Sequence, residues 1–519
     1  MAIVQQEQFH KFLDKTGWKY KQHQFEGFQW VMNKELNENM GGIIGDDMGL
    51  GKTTLMCAAI LNNFKQKTLI VVPPVLVDQW VDVLQKHCGL KAIKLISMTK
   101  QYPTVASYLN SLPTKNDFVI PQVVVTTYGM LIRHKKYGKP DEYICPYHKV
   151  AIRATQWNRI IFDEAHNMRN SNTSTTRGIA MLKSPIKWMV TGTPIQNRSS
   201  DFKTLCSLIG ISPGEFCAST KVGIDRLTNR WLLRRKKADV LADELPELEK
   251  KYVNIKWTKK DKEMAKTVHN FLSELPSQVT RDNVNIIIAL LMSEYYFCQC
   301  IRAKQFCILP DLFKSATHKK QILGYIPWEL DFDKPMPESV KLNKLVEIIK
   351  KQGKTNRKIV FCSFTDEIYM IKHMLEKEGF TTGILNGKTK PTEKRMLLRA
   401  NTDWLSRVVV KSKSSLPTVL YKKINEFLEP DVLIVQIKVG AEGLNLQNYS
   451  EIYFTSAHWN PALEDQAIAR AHRIGQKAKK VKVWHLVMDD VDEATKSIDR
   501  YVLNTQHMKR MLMAEYNCD

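Results

Sequence analysis

A chain of 519 residues with a 44% hydrophobic fraction is too long for one core and fits two or three domains of roughly 100–200 residues each. Its 77 Lys and Arg against 53 Asp and Glu leave a formal charge of +24, which favours a polyanionic partner because each neutralised phosphate releases condensed counterions. Three classes are disfavoured: the start MAIVQQEQFHKFLDK has no apolar signal core, no run approaches the roughly 20 apolar residues of a membrane span, and the ten scattered cysteines contain no repeated CxxC pair at zinc-site spacing.

In chain order, the first sharp signal is GIIGDDMGLGKTT, an apolar run that enters a glycine turn and then a helix. Gly49 and Gly51 allow the backbone to turn its N–H groups onto phosphate, and the helix that follows adds its positive end. Lys52 can reach β- and γ-phosphates, and the Thr53 hydroxyl can ligate Mg²⁺. Dense β-branched and aliphatic runs follow: TLIVV (68–72), QVVVTT (122–127), RIIFDEA (159–165) and KWMVTGT (187–193). Without clean alternation, such runs predict strands buried on both faces of a parallel sheet. Residues 198–340 carry more helical pattern and charge, as in KKDKEMAKTVHNFLSELP. A second strand series then begins after residue 350 with RKIVFCSF, TTGILNG, DVLIVQI, SEIYFTS and VKVWHLV. The layout is α/β, a mainly helical middle, then α/β. Cys57, Cys206 and Cys362 read as small core residues; Cys145 and His148 form CPYH and Cys298, Cys300 and Cys307 sit close together, but no CxxC pair repeats at zinc-site spacing, which disfavours a structural metal.

Two further segments carry chemistry. Asp163-Glu164-Ala165-His166 ends an apolar run about 110 residues after the glycine turn. Asp163 at a strand's carboxyl end suits Mg²⁺, partly through water, and Glu164 suits polarisation of the attacking water. Near the far end, EDQAIARAHRIGQ spaces Gln466, Arg470 and Arg473 by four and three residues, which predicts one helical face. Two guanidiniums on such a face form an arginine-finger arrangement for a γ-phosphate. A cradle near residue 50 with its arginines near 470 predicts a site completed when two α/β halves close.

This ordered set resembles the helicase motifs of superfamily two, and more narrowly the SWI/SNF-like DNA translocases. HQFEGFQW is similar to the Q-motif, DDMGLGKT to motif I, VVPPVLVDQW to Ia, VVVTTYGML to Ib, FDEAH to II and VTGTPIQN to III. LLRRKKADV followed by ELPE resembles a hallmark between the lobes. KIVFCSF resembles motif IV, GAEGLNLQ motif V, HWNP the family's Trp-Asn-Pro element and EDQAIARAHRIGQ motif VI. Within the family the resemblance is nearest to repair translocases and a transcription-termination ATPase, without a RING finger. Gln436, Ile437 and Glu442 depart from the usual motif V pattern, and residues 396–420 look like a basic insertion.

The resemblance implies two RecA-like parallel-sheet lobes with helical insertions. They are placed as an ATP-binding lobe over 1–230, a helical linker over 231–340 and a second lobe over 341–519. It implies ATP and Mg²⁺, with Gln24, Asp46, Asp47, Met48, Gly49, Leu50, Gly51, Lys52, Thr53, Thr54 and Gln466 around the nucleotide. Lys52, Asp163, Glu164, Arg470 and Arg473 carry catalysis, Thr53 and Asp163 hold the metal, and Thr191, Gly192, Thr193 and Gly443 couple the sites. Thr126, Thr127, Lys388, Trp459 and Asn460 are expected against double-stranded DNA. The implied function is ATP-driven translocation on duplex DNA that displaces bound proteins, nucleosomes among them. The alternatives are a strand-separating DNA or RNA helicase and a non-catalytic DNA-binding scaffold. An intracellular location is expected: the nucleus for a cellular protein, or the replication site or virion of a large DNA virus.

Overall fold

The computed structural model describes the chain except residues 1, 97–122, 133, 137–138, 145–151, 153–154, 169, 172, 195–198, 213–226, 242–243, 281, 292, 311–337, 390–429, 441–443, 445 and 517–519. Gly443, the basic stretch 396–420, Cys145–His148, Glu442 and the end of VTGTPIQN therefore lie outside the described residues. The described chain divides into two compact units, one built on Met1–Asp243 and the other on Glu244–Glu515.

The first unit holds a seven-stranded sheet. Its strands are β1 (Gly42–Ile44), β2 (Thr68–Val72), β3 (Ala92–Leu95), β4 (Val123–Thr127), β7 (Arg159–Asp163), β8 (Ile186–Val190) and β9 (Leu232–Leu233), in the spatial order β3-β4-β2-β7-β8-β1-β9. Every pairing in this sheet is parallel. A separate antiparallel ribbon joins β5 (His134–Lys136) to β6 (Lys139–Ile144). All five residues of β2, β4 and β7 are buried, because an apolar cluster lies on each face of the sheet. The absence of alternation in TLIVV and VVVTT has that cause.

Helices α1 (Ala2–Thr16), α2 (Gln22–Asn37), α3 (Lys52–Asn62) and α4 (Val77–Lys86) contribute to the apolar layer around Phe9, Phe28, Met56 and Trp80. One buried ion pair ties this layer to the sheet. Glu35 of α2 accepts from Arg159 Nε at 2.7 Å and from Arg159 Nη2, from the Trp188 indole at 2.8 Å and from Asn63 Nδ2 at 2.8 Å. Both side chains of the pair are fully buried, so the charges persist only because several donors converge on one carboxylate.

The second unit holds a six-stranded parallel sheet. Its strands are β10 (Glu247–Ile255), β11 (Arg357–Cys362), β12 (Thr382–Leu385), β13 (Val432–Gln436), β14 (Tyr449–Phe454) and β15 (Lys480–Met488), in the order β10-β15-β14-β11-β13-β12. The α/β class with two parallel sheets is as the sequence predicts. The stretch expected as a helical linker divides its residues: Leu232–Leu233 extend the first sheet, Glu247–Ile255 edge the second, and helices Lys259–His269, Val284–Leu291 and Glu294–Ile308 follow. The last of these helices packs Cys300, Ala303 and Phe306 into the second unit's main core. Among the described residues no single helix is long and apolar enough to cross a membrane.

Candidate active site

β1 ends at Ile44 and the chain turns through Gly45–Gly51 before α3 begins at Lys52. Gly51 is the residue before the helix and has φ +83°, a conformation that L side chains rarely adopt. A Cβ there would also lie 2.2 Å from Gln24 Nε2. The Q-motif glutamine therefore rests against the glycine that opens α3. Gly49 also has positive φ and is exposed, whereas Leu50 is buried. Lys52, Thr53 and Thr54 form the first turn of α3 and are half-buried. Lys52 Nζ donates to the carbonyls of Asp46 at 2.7 Å and Asp47 at 3.3 Å.

The acidic pair is held from outside the loop. Asp46 is 1% exposed, and Arg235 grips it with Nε on Oδ1 at 3.0 Å and Nη2 on Oδ2. Asp47 Oδ2 accepts from the Lys237 backbone N–H at 3.0 Å. His23, buried by the same elements, has its Nε2 3.2 Å from the Leu50 carbonyl, and burial lowers its pKa.

Asp163 ends β7, with one carboxylate oxygen accepting from the Trp80 indole at 2.7 Å and the other from the Glu164 N–H at 3.0 Å. The Tyr128 hydroxyl donates to the Asp163 carbonyl at 2.7 Å. Burial, and then the neighbouring Glu164 carboxylate, push the Asp163 pKa up to about 6, against the Trp80 hydrogen bond and the Lys52 charge. An acid this costly to ionise is well suited to a divalent cation, which would favour the charged form. Glu164 itself has φ +53°, the left-handed region. A non-glycine residue there is strained and persists where its surroundings over-determine it. Here the Asn167 N–H and side-chain amide both donate to the Glu164 carbonyl, at 3.1 and 3.0 Å.

His166 joins this acid turn to the Thr191–Thr193 turn. Its Nδ1 lies 3.3 Å from Glu164 Oε2 and 3.3 Å from Thr191 Oγ1, which in turn accepts from the Thr193 N–H at 3.2 Å. A Cβ on Gly192 would lie 3.0 Å from Met48 Cγ and 3.5 Å from Lys52 Nζ. The structure thus brings Gln24, the glycine turn, Lys52, the Asp163 surroundings and the Thr191–Thr193 turn together in the first unit. The donors fit a nucleotide triphosphate and a hard cation: a turned backbone, an ammonium, a hydroxyl in the first helical turn and two adjacent carboxylates.

The remaining expected residues fall elsewhere. Arg470 and Arg473 belong to the second unit, where helix Pro461–Ala471 ends before Arg473 is reached. The single helical face expected for Gln466, Arg470 and Arg473 is therefore corrected. Residue His472 leaves the helical conformation, and the turn beyond it is held by Gln447 Nε2 on the Ile474 carbonyl and Gln476 Nε2 on the Ala471 carbonyl, at 2.5 and 3.1 Å. The two guanidiniums still feel each other: burial, and then the Arg470 charge, lower the Arg473 pKa. Gln466 is buried within the unit.

Of the residues expected against DNA, Thr126 is fully buried and spends its hydroxyl on the Leu95 carbonyl at 2.7 Å. Thr127 is buried too. Asn460 accepts from the Ala462 N–H at 3.2 Å and so caps the helix that carries Arg470. The Trp459 carbonyl accepts from Lys509 at 2.9 Å, and its ring lies under the Lys304 ammonium. Lys388 is exposed, presented by a turn in which Asn386 Oδ1 accepts its N–H at 2.9 Å.

Sequence pattern gives no role to Trp80, Tyr128, His166, Arg235 or Lys237. Trp80 and Tyr128 are aromatic residues with a polar handle that follow closely on strands, and such groups need a partner when buried. All five lie inside the quoted motifs, and for Trp80 and Tyr128 the polar handle is a further signal.

Comparison with known proteins agrees with this geometry. The SNF2-related domain family matches residues 23–308, and the helicase conserved C-terminal domain matches residues 420–475. A probable global transactivator of Orgyia pseudotsugata multicapsid polyhedrosis virus is 26% identical over 94% of this chain and 89% of its own length. The putative ATP-dependent helicase/translocase YwqA of Bacillus subtilis is 26% identical over 90% of this chain and 46% of its own. Transcription termination factor 2 of Drosophila melanogaster is 22% identical over 92% and 55%. The chain thus spans most of the viral relative and about half of the cellular ones. Sulfolobus solfataricus SWI2/SNF2 ATPase core in complex with dsDNA, 20% identical over 92% of this chain and 89% of its own, superposes with a TM-score of 0.38 and adds nothing to the fold read from the two sheets. With the family matched over more than half its length, the chain belongs to the SNF2-related ATP hydrolases of the helicase/translocase type.

Proposed function

We propose that this protein hydrolyses ATP to move along double-stranded DNA and displace proteins bound there. The observation that carries the reading is the convergence, in one unit, of Lys52 in the first turn of α3 with the Asp163–Glu164 pair at the end of β7 and the Thr191–Thr193 turn between them. Backbone N–H groups of the glycine turn and the Lys52 ammonium bind the phosphates, and the Gln24 side-chain amide reads the adenine. Thr53 and Asp163, the latter partly through water, would hold Mg²⁺, which would supply positive charge to the phosphates. Glu164 orients the attacking water and draws its proton toward the carboxylate. His166, touching both Glu164 and Thr191, links the water-activating acid to the turn beside Lys52.

Arg470 and Arg473 stabilise charge that develops at the γ-phosphate; this role rests on their motif and their proximity in charge. Duplex DNA as the track is supported by the family and by the formal charge of +24. Exposed Lys388 is the phosphate contact best placed to act.

The test is the ATPase rate with no nucleic acid, duplex DNA, single-stranded DNA, RNA and nucleosomes, each at several salt concentrations. Duplex DNA should stimulate most, and its effect should fall steeply as salt rises. Greater stimulation by RNA or single strands, with unwinding of forked substrates, would instead identify a strand-separating helicase. Hydrolysis at the wild-type rate by Lys52→Ala would remove the nucleotide assignment.

A further inference from the structure

Asp46 is a carboxylate almost wholly out of water, and such a group stays charged only if paired and hydrogen-bonded. Its partner comes from 189 residues further along the chain. Arg235 grips both carboxylate oxygens with Nε and Nη2, and its third nitrogen, Nη1, donates to the His23 carbonyl at the start of α2. All three guanidinium nitrogens are thereby engaged, a fork geometry that a lysine does not reproduce. The guanidinium lies close against Gly27, where a Cβ would sit 2.9 Å from Nη2 and 3.2 Å from Nη1.

The backbone around Arg235 follows the phosphate loop residue by residue. β9 pairs with β1 through Leu232 and Leu233, the Gly45 N–H donates to the Leu233 carbonyl at 2.8 Å, and the Asp47 N–H donates to the Arg235 carbonyl at 3.1 Å. The Lys237 N–H then returns a hydrogen bond to the Asp47 carboxylate. The two residues fixed in this way are the ones whose carbonyls receive the Lys52 ammonium.

We propose that Arg235 is a positioning residue for nucleotide binding: through Asp46 it holds the segment Leu232–Lys237 against the phosphate loop and so sets where Lys52 stands. The inference rests on the nucleotide reading of the Lys52 turn. It adds that the stretch LLRRKK, which leads out of the first unit, is part of the phosphate site. A buried ion pair with a purely structural role would lower stability when broken and leave the affinity of the folded protein alone. A positioning pair changes affinity, and its two members cease to act independently.

The experiment is a double-mutant cycle on the full chain with wild type, Arg235→Ala, Asp46→Asn and the double variant. It reads the Kd for a fluorescent ADP analogue, kcat and KM for ATP, and the melting midpoint. Arg235→Ala should raise Kd and KM about tenfold with a smaller change in kcat, in the range of one charge-assisted fork. In the Asp46→Asn background the same change should add little, because coupled residues are non-additive. Arg235→Lys should recover only part of the affinity.

Gly27→Ala, which keeps every charge and displaces the guanidinium, should weaken nucleotide binding in the same direction; it also serves if Arg235→Ala does not fold. Additive effects around the cycle, or wild-type Kd in folded Arg235→Ala or Gly27→Ala, would overturn the proposal. A wild-type protein that binds the ADP analogue and hydrolyses nothing would instead count against the proposed function, while the cycle in Kd remained readable.

Discussion

The two units bury ionisable groups for partly different ends. In the first, buried acids sit at the glycine turn and beside it, Asp46 under Arg235 and Asp163 under Trp80 with Glu164 adjacent, while Glu35 ties α2 to the sheet through Arg159. In the second, the described buried charges brace helices and strands. Lys341 pairs with Asp499 at 2.6 Å while Asp499 accepts the Met488 N–H of β15, and Lys358 lies 3.2 Å from Glu451 between neighbouring strands. Glu464 accepts from the His458 N–H and the Gln506 amide, at 2.5 and 2.8 Å, and so braces helix Pro461–Ala471. The contrast teaches that buried charge in the first unit serves both the candidate site and its frame, whereas the described buried charge of the second braces the frame around helix Pro461–Ala471, which carries Arg470.

That division of labour is broken most easily at the arginines. Arg473→Ala should lower kcat by roughly 10³-fold or more while nucleotide affinity changes little, since an arginine finger acts mainly on the transition state. Steady-state ATPase assays paired with nucleotide titration separate the two effects. A variant that hydrolyses ATP near the wild-type rate would leave the second unit without its assigned part.

The next largest effect concerns stability of the first unit. Glu35→Ala strands Arg159 in the core and removes the acceptor for Trp188 and Asn63. A loss of about 3–5 kcal/mol is expected, read by denaturant unfolding followed through local hydrogen exchange. Protection should fall in β7 and β8 before it falls in the second sheet.

Acid should act in the opposite place. His269, His458 and His485 of the second unit are held neutral by burial, with pKa values lowered from 6.5 to about 4, about 3 and about 3. Below pH 6.5 the unfolded chain binds protons that the folded unit refuses, so stability falls as pH drops from 6.5 toward 4, by up to about 1.4 kcal/mol per pH unit for each histidine. Glu464, raised to about 6 by burial, has the reverse sign between its usual value of 4.5 and 6, and Glu367, also raised by burial, acts in the same direction as Glu464, two groups against three. Hydrogen exchange at pH 7.5 and 5.5 should show the second sheet losing protection first.

The smallest effect sharpens the reading of HWNP. Asn460→Ala removes a helix cap and should cost about 1 kcal/mol, with duplex affinity unchanged. A wild-type melting midpoint combined with weakened DNA binding would instead support the DNA contact expected of Asn460.

Much of the fold is legible in the amino-acid pattern. The glycine turn and the inner strands are readable because burial on both faces leaves unbroken aliphatic runs, as in β2, β4 and β13. β10 stays hidden because it is a largely exposed edge strand, and ELEKKYVNI carries the charges that keep such an edge from pairing with another chain. The Arg473 face fails because spacing says nothing of where a helix stops; Gln447 and Gln476, which hold the turn, act through side-chain hydrogen bonds that no periodicity reports. Arg235 lies inside a recognisable motif, but its target is 189 residues away, a distance that local pattern cannot span.

The most direct measurement is displacement of a third strand from a DNA triplex, followed with and without ATP. Wild-type protein should release the strand in an ATP-dependent manner while the underlying duplex stays paired, and Lys52→Ala and Arg473→Ala should release none above background. Failure of the wild type under conditions where duplex DNA maximally stimulates hydrolysis, or release by Lys52→Ala, would contradict a motor that travels on duplex DNA.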